Sequence, residues 1–262
     1  MPHELQPNID LERFEALSLE GNLIPVYADM MADLETPVTA YAKLKSESPA
    51  FLLESIEGGE RLSRYTFIAC RPRKIIKSFW ETTFIEEQGE PTKEIPTPED
   101  PLTLIQDEID RYHPIDFPEL PPFTGGAVGY LSYEYISRVE NTVPRANTNC
   151  HSSPLTYYML ADSMVIFDRA KQIIRLLVNA RLDAYDSPKA AYEAALVELQ
   201  SLKATLDSPN VVSPASLVPQ SDINIPDGNF VKEDFEAMVE QSKEYIRAGE
   251  IFQVVLSQRF EK

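Results

Sequence analysis

A succession of short strand-like runs, many joined by short turns, constrains the fold of this chain most strongly. Such runs are rich in β-branched and aromatic residues and are bounded by turn residues. They comprise residues 50–56, 64–69, 75–80, 82–86, 125–133, 157–167, 172–179 and 251–260. Because strands outnumber helices and are often joined by short turns, we predict an α+β fold. Its sheet is expected to be largely antiparallel with flanking helices, rather than parallel and doubly wound.

Helices are predicted where capping residues precede an apolar stripe of helical period. The clearest is residues 187–206, with Ser187 as N-cap and Pro188 at the first helical position. Its stripe consists of Ala191, Ala195, Leu199, Leu202 and Leu206. Further helices are predicted at residues 10–20, from residue 36, at 101–112 and at 232–248. The polar, proline-rich residues 88–101 are predicted to form a surface loop, and residues 168–171 a hairpin turn.

The domain organisation follows from composition. A chain of 262 residues with 43% hydrophobic content can bury a core in one or two domains. Residues 207–228 are rich in Pro, Ser and Asn, as linkers are. We therefore predict an N-terminal domain over residues 1–206, a linker over 207–228 and the start of a second domain over 229–262.

Charge and residue usage exclude several classes of function. The balance of 24 basic against 42 acidic residues gives a net charge of −18, which opposes binding to nucleic acid. No apolar run is long enough for a membrane helix, and no signal peptide is recognisable, so we expect no membrane partner and a cytoplasmic protein. The two cysteines and three histidines are scattered and lack metal-ligand spacing, so no metal site is predicted in this chain.

The last strand-like run, residues 251–260, has two different faces. Phe252, Val254, Leu256, Gln258 and Phe260 alternate along one face, which is nearly all apolar and is predicted to enter a core. The other face mixes aliphatic residues with Gln253, Ser257 and Arg259. Polar groups on a buried strand need partners, which are either a structural hydrogen-bond network or a ligand.

The sequence Gly249-Glu-Ile-Phe-Gln-Val-Val-Leu-Ser-Gln-Arg-Phe260 resembles the opening of the chorismate-binding domain in the anthranilate synthase component I family. In the water-using relatives, the isochorismate synthases, a lysine stands at the position of Gln253 and activates water. A glutamine amide takes up no proton near neutral pH and cannot act as a general base. The resemblance therefore implies the ammonia-using branch and makes Gln253 a candidate catalytic residue on the substrate side. Val255 favours anthranilate synthase over aminodeoxychorismate synthase, which tends to carry Asn there.

Residues 51–68 resemble the N-terminal region of the same family, in which a Leu-Leu-Glu-Ser segment belongs to the tryptophan feedback site. The matching residues are Glu54 and Ser55, and Arg64 corresponds to a basic residue of that site. A carboxylate and a cation suit the two charges of an amino acid. From the residues alone, the segment is equally a hairpin with a surface Glu–Arg pair. Glu54 and Ser55 would point to opposite faces of a regular strand, so both can meet one ligand only if the strand ends or bulges there.

The segment Gly125-Gly-Ala-Val-Gly-Tyr130 superficially resembles a phosphate-binding loop. It lacks the lysine and the Ser/Thr of that motif, and no clear helix follows. Glycines in a strand permit another backbone to approach closely, and the family shares this pattern as scaffold. We therefore assign the segment a structural role.

The resemblance implies an enzyme that converts chorismate and ammonia to anthranilate and pyruvate, with L-tryptophan as inhibitor. Ammonia would come from a partner glutamine amidotransferase subunit. The family's chorismate- and Mg²⁺-binding motifs lie C-terminal to the last strand-like run, so this chain is expected to hold no metal ligand and to be inactive alone. Two alternatives remain open, an aminodeoxychorismate synthase fragment and a stand-alone tryptophan-binding or amidotransferase-docking module. An apolar strand at the end of the chain argues against such a module, because it would be left unpaired.

Overall fold

The computed structural model describes residues 5–45, 49–55, 64–145, 153–209 and 226–261. The chain divides into two compact units, Met1–Ser213 and Pro214–Lys262. The strands of the first unit are β1 (Leu23–Met31), β2 (Ala50–Leu53), β3 (Tyr65–Cys70), β4 (Lys74–Ser78), β5 (Thr82–Glu87), β6 (Lys93–Pro96), β7 (Gly126–Leu131), β8 (Thr156–Ala161), β9 (Ser163–Asp168) and β10 (Ile173–Arg181). Its α-helices are α1 (Leu11–Leu17), α2 (Pro37–Leu44), α3 (Leu102–Asp110), α4 (Ile136–Val139) and α5 (Pro188–Leu206). The second unit contains α6 (Lys232–Arg247).

The strands described here form two antiparallel sheets of five strands each. The first sheet has the order β1-β10-β9-β3-β2 and the second the order β6-β5-β4-β8-β7. All strand pairs within both sheets are antiparallel. The prediction of an α+β fold with a largely antiparallel sheet is therefore confirmed.

Three apolar clusters show how the layers of the first unit are stacked. The largest lies between the first sheet and helices α1, α2 and α5, and contains Phe14, Ile24 and Leu199. The second joins Leu177 and Ile166 of the first sheet to Met159 and Ile75 of the second. The third packs Ile105 of α3 on the other face of the second sheet. The two sheets thus lie face to face, with helices on both outer surfaces.

The predicted capping residues begin the predicted helices. Asp10 accepts a hydrogen bond from Arg13 N at 2.9 Å, and Ser187 accepts one from Ala190 N at 3.2 Å. Thr36 caps α2, whose first residue is Pro37. The predicted apolar stripe of α5 is buried in full. These local signals are reliable because a cap satisfies orphan N–H groups within a few residues of the chain.

The predicted strand over residues 157–167 is wrong in one respect, because it is two strands that belong to different sheets. β8 ends at Ala161 in the second sheet and β9 begins at Ser163 in the first. Between them, Asp162 accepts hydrogen bonds from Arg73 Nε at 3.1 Å and forms an ion pair with Arg181 Nε at 3.0 Å. The largely apolar sequence of both strands hides this corner, because only Asp162 and Ser163 interrupt it.

The loop predicted over residues 88–101 is also partly wrong, since β6 lies within it. Residues Lys93–Pro96 pair with β5 at the edge of the second sheet. Edge strands carry charged side chains and proline, which gives them the composition of a loop. The other edge strand, β7, follows the predicted glycine pattern. A Cβ on Gly129 would lie 2.7 Å from the Cα of Tyr158 on β8, so this glycine permits the close strand approach that was predicted.

The second unit contradicts the predicted strand over residues 251–260. Only Phe260 is bridged, to Gly228, among the described residues of this segment. The predicted core face is open to solvent, with Phe252 94% exposed. Alternation describes which side chains share a face. A strand forms only where another strand provides hydrogen-bond partners for its backbone N–H and C=O groups. The predicted boundaries of the two domains and the linker remain predictions, and residues 210–225 lie outside the described residues.

Candidate functional site

The site predicted from residues 51–68 lies where β2 ends and β3 begins. β2 ends at Leu53, so Glu54 and Ser55 lie beyond the strand and its alternation no longer forces them to opposite faces. Residues 56–63, which include the end of the first predicted strand-like run and the connection to the next, lie outside the described residues. Arg64 directly precedes β3. The chain thus places three predicted site residues at adjacent ends of two paired strands.

Arg64 forms a forked ion pair with Asp168, the last residue of β9. Its Nε donates to Oδ1 at 2.9 Å and its Nη2 donates to Oδ2 at 2.7 Å. Asp168 stands opposite Tyr65 in the pairing of β3 with β9, which brings Arg64 within reach. The guanidinium also lies 4.8 Å from the centre of the Tyr65 ring. Two parallel charge-assisted hydrogen bonds fix the direction of this side chain.

Asp168 also organises the turn between β9 and β10. Its Oδ1 accepts hydrogen bonds from Ala170 N at 3.1 Å and Lys171 N at 3.2 Å. Burial by itself would raise the pKa of Asp168, but the hydrogen bonds from Arg64 and from the turn amides outweigh it and hold the pKa below its ordinary value. The carboxylate is therefore ionised at neutral pH and acts as the anchor of the predicted hairpin turn.

Arg169, the next residue of this turn, faces Glu54. Its Nη2 lies 3.4 Å from Glu54 Oε2 and 3.5 Å from Thr66 Oγ1. Its backbone N–H donates to the carbonyl of Arg64 at 2.9 Å. The Arg169 side chain is 48% exposed. A long ion pair at such an exposed site stabilises the position of the side chain only weakly.

A cavity of about 320 Å³ opens beside this turn. It lies between the end of β1, the start of α2 and the β9–β10 turn. Its walls combine apolar Phe167 and Ile173 with the carboxylates of Asp33, Glu35 and Asp168 and with Arg169, whereas none of the predicted residues Glu54, Ser55 and Arg64 lines it. This volume is at the lower end of the roughly 300–1,000 Å³ typical of small-molecule pockets. An apolar wall beside charges of both signs matches the chemistry of an amino acid with a large apolar side chain.

A second cavity, of about 420 Å³, lies at the corner where the chain crosses between the sheets. Arg73 and Arg181 line it, but both are already paired with Asp162. Arg73 also donates to Glu108 Oε2 at 3.2 Å. Its arginine charges are thus largely matched by protein carboxylates, and the cavity at the β9–β10 turn is the better candidate site.

The sequence did not identify Asp168 and Arg169 as site residues. They were predicted only to belong to a hairpin turn. Only the pairing of β3 with β9, which joins residues about a hundred positions apart, brings them to Arg64 and Glu54. The one sequence feature that could have indicated these residues is Phe-Asp-Arg at a turn. An aspartate at a turn is ordinarily interpreted as stabilising the turn conformation.

Gln253 lies in the second unit, exposed and outside any helix or strand. Within the described parts of the chain, no three His, Cys, Asp or Glu side chains are grouped to hold a metal ion. Cys70 is buried in β3, whereas Cys150 and His151 lie outside the described residues. No described helix has the length and apolar character needed to cross a bilayer.

Comparison with known proteins relates this geometry to a family. The family model described as chorismate binding enzyme matches residues 48–262. Anthranilate synthase component 1 of Synechocystis is 35% identical over 255 residues, covering 94% of this chain and 50% of that protein. The same-named protein of Acetivibrio thermocellus is 32% identical over 254 residues, covering 95% of this chain and 50% of that protein.

A solved structure agrees with the sequence relatives. The crystal structure of anthranilate synthase component I from Streptococcus pneumoniae has a TM-score of 0.57 and 26% identity, covering 88% of this chain and 48% of that chain. The chain therefore spans about half the length of the relatives it matches. With a family model over most of its length and relatives of one name along nearly all of it, this chain belongs to the chorismate-binding enzymes of the anthranilate synthase component I type.

Proposed function

We propose that this chain is part of the large subunit of an anthranilate synthase, a lyase of tryptophan biosynthesis acting in the cytoplasm. The enzyme would aminate chorismate and then eliminate pyruvate, so that chorismate and ammonia yield anthranilate, pyruvate and water. Ammonia would be released from glutamine by an amidotransferase subunit. The relatives named anthranilate synthase component 1 support this assignment most directly, because their similarity extends along nearly the whole chain.

Gln253 supports ammonia over water as the nucleophile. Its amide can donate or accept a hydrogen bond, but it cannot remove a proton from water near neutral pH. Ammonia needs no such base, since it is already nucleophilic when unprotonated. Gln253 would then position ammonia or a substrate oxygen.

The end of β2 and the β9–β10 turn support feedback by tryptophan. Glu54 lies 3.4 Å from Arg169, and Arg169 lines a cavity that also has apolar walls. A free amino acid presents an ammonium and a carboxylate, which this acid and cation can bind, while the cavity accepts the indole ring. Ser55 follows Glu54 and offers a hydroxyl, and Arg64 holds the turn through Asp168.

Mg²⁺ is the metal that the family implies, and its role there is to neutralise the substrate carboxylate as the leaving group departs. The described residues do not form a cluster that fits it. We therefore assign no residue of this chain to Mg²⁺.

The assignment is tested by the product formed from chorismate. The longest natural form of the protein, with Mg²⁺ and ammonium, is expected to generate anthranilate fluorescence and an equal amount of pyruvate. The 262-residue chain alone is expected to generate neither. Conversion of chorismate to an aminated product without pyruvate release would instead identify an aminodeoxychorismate synthase.

The partner is tested by replacing ammonium with glutamine. Turnover with glutamine is expected only after addition of the glutamine amidotransferase subunit, and turnover with ammonium is expected without it. Binding of L-tryptophan by a protein that converts chorismate under none of these conditions would support the alternative, a tryptophan-binding module.

A further inference from the structure

We propose that Arg169 binds the carboxylate of the regulatory amino acid and that Arg64 acts only by positioning the turn that carries Arg169. This inference rests on the proposed feedback site and assigns the two arginines beside it to different tasks. It differs from the expectation drawn from the sequence, in which Arg64 is the basic residue that meets the ligand.

Arg64 is already paired with an anion, the carboxylate of Asp168. Two of its nitrogens, Nε and Nη2, donate to the two oxygens of Asp168 at 2.9 and 2.7 Å. That carboxylate is 8% exposed and is ionised at neutral pH. A ligand carboxylate could recruit this edge of Arg64 only by leaving a buried charge unpaired, which is strongly unfavourable.

Arg169 is held loosely, and it lines the cavity. Its contacts with Glu54 and Thr66 are 3.4 and 3.5 Å long, and about half of its side chain is exposed. An exposed ion pair of this kind contributes little to stability, so its exchange for another partner costs little. Among the described residues that line the cavity, Arg169 alone carries a positive charge.

The two charges of an amino acid match those of Glu54 and Arg169. A zwitterion placed between Glu54 and Arg169 would replace one long contact by two charge-assisted hydrogen bonds, ammonium to Glu54 and carboxylate to Arg169. The backbone of Arg169 stays fixed during this exchange, because its N–H donates to the Arg64 carbonyl at 2.9 Å. The Arg64–Asp168 pair thereby holds the backbone that carries Arg169 beside the cavity without touching the ligand.

The test combines variants with ligands that lack one charge. Binding of L-tryptophan, of tryptamine, which has no carboxylate, and of indole-3-propionate, which has no ammonium, is measured by calorimetry on the longest natural form of the protein. We expect Arg169→Met to weaken L-tryptophan about ten- to hundredfold, the usual effect of losing a hydrogen bond to a charged group, and to leave tryptamine unchanged. Arg169→Lys is expected to recover part of the loss.

Lys171→Met is the matched control, since Lys171 belongs to the same exposed turn and its side chain does not line the cavity. It should leave all three affinities unchanged. Unchanged tryptamine binding also shows that the Arg169→Met variant is folded. If that variant does not fold, the measurement is made on Arg169→Gln instead. If the preference for L-tryptophan over tryptamine survives in Arg169→Met, the assignment of Arg169 is wrong although the feedback site stands. If the wild-type protein binds no L-tryptophan at millimolar concentration, the feedback site and the role of Arg169 both fail.

Discussion

Arg64 and Asp168 are joined by two parallel hydrogen bonds, of 2.9 and 2.7 Å, that link the start of β3 to the end of β9. The same carboxylate accepts two amide N–H groups of the following turn. One buried acid therefore ties together a strand end and a hairpin turn that lie far apart in the sequence. The site residues on both depend on this link for their positions.

Arg64→Met is expected to destabilise the protein, because it leaves the Asp168 carboxylate short of two partners. Arg64 is itself one-third exposed, so water replaces part of the loss. We expect a decrease of about 1–2 kcal/mol in the free energy of unfolding, measured by urea denaturation. Arg145→Met is the control, since Arg145 forms an ion pair with Glu81 in which both side chains are mostly exposed. Equal losses in the two variants would contradict a special role for the Arg64–Asp168 pair.

The contribution of Asp168 to stability should disappear in acid. Its pKa in the folded protein lies below the ordinary value of 3.8, so the unfolded chain takes up a proton first as the pH falls. The stabilisation is therefore complete well above pH 4 and is lost as the pH falls through the folded pKa. We expect Asp168→Asn to melt at a lower temperature than wild type at pH 7, with the difference shrinking below about pH 4. A difference that stays constant down to pH 2 would show that ionisation of Asp168 is irrelevant to its role.

The sequence predicted the secondary-structure elements that carry this site better than it predicted the contacts between them. The caps of α1, α2 and α5 and the turn at residues 168–171 depend on neighbouring residues and were predicted, whereas β2 ends at Leu53 and not at residue 56 as predicted. The contact of Arg64 with Asp168 depends instead on which strands become neighbours in the sheet. Periodicity assigns side chains to faces but does not choose the neighbouring strand, so Asp168 and Arg169 were missed.

Glu108→Gln tests a buried charge cluster that supports the second sheet. Glu108 on α3 accepts a hydrogen bond from Lys74 Nζ at 2.5 Å and meets Arg73 and Arg111 at 3.2 Å each. Burial alone would raise the pKa of Glu108, but these cations outweigh it and lower the pKa. Removal of the charge leaves the buried Lys74 with one partly exposed carboxylate, Glu87 at 3.2 Å, and we expect a loss of about 3 kcal/mol in the free energy of unfolding.

That loss corresponds to a melting temperature about 5–10 °C lower for a protein of this size. Asp107→Asn removes the same charge one residue away on α3, where the side chain is exposed, and should change the melting temperature by less than about 2 °C. A Glu108→Gln protein as stable as Asp107→Asn would show that the cluster is not needed for the fold.

The corner at Asp162 and the segment 251–260 show two further limits of sequence patterns. A strand that buries both faces is mostly apolar in sequence. The break between β8 and β9 is therefore marked in the sequence by little more than Asp162. Residues 251–260 alternate as a strand should, yet only Phe260 is bridged among those that the structure describes there. A sequence pattern indicates which secondary structure a segment can form. The residues around that segment in space determine whether it forms.

Glu54→Ala and Ser55→Ala are expected to relieve inhibition by tryptophan in the longest natural form while largely sparing turnover. Glu54 would lose its bond to the ligand ammonium, and Ser55 its hydroxyl beside it. The measurement is the rate of anthranilate formation against L-tryptophan concentration, with the inhibition midpoint expected to rise at least about tenfold for Glu54→Ala. Leu53→Ala, at the exposed end of β2, is a control for a change at this strand end without loss of charge. An inhibition curve that Ser55→Ala does not move would remove Ser55 from the site.

Gln253→Leu is expected to lower turnover of chorismate and leave the melting temperature almost unchanged. The two side chains are similar in size, and Gln253 is exposed in the structure, so its amide contributes little to folding. Gln258 provides the contrast within the same segment, because its Nε2 donates to the carbonyl of Phe230 at 2.8 Å. Gln258→Leu should therefore disturb local structure more than Gln253→Leu does.

Gln253→Lys extends the same test to the choice between ammonia and water. A lysine can lose its proton and act as a base, which a glutamine cannot do. We expect this variant to divert part of the product from anthranilate to a hydroxyl isomer of chorismate, formed when water attacks the ring and the original hydroxyl leaves as water, measured by chromatography of the reaction mixture. Wild-type turnover in Gln253→Leu would show that Gln253 has no part in the chemistry. A loss of turnover accompanied by an equally large loss of stability would show instead that its amide belongs to a structural hydrogen-bond network.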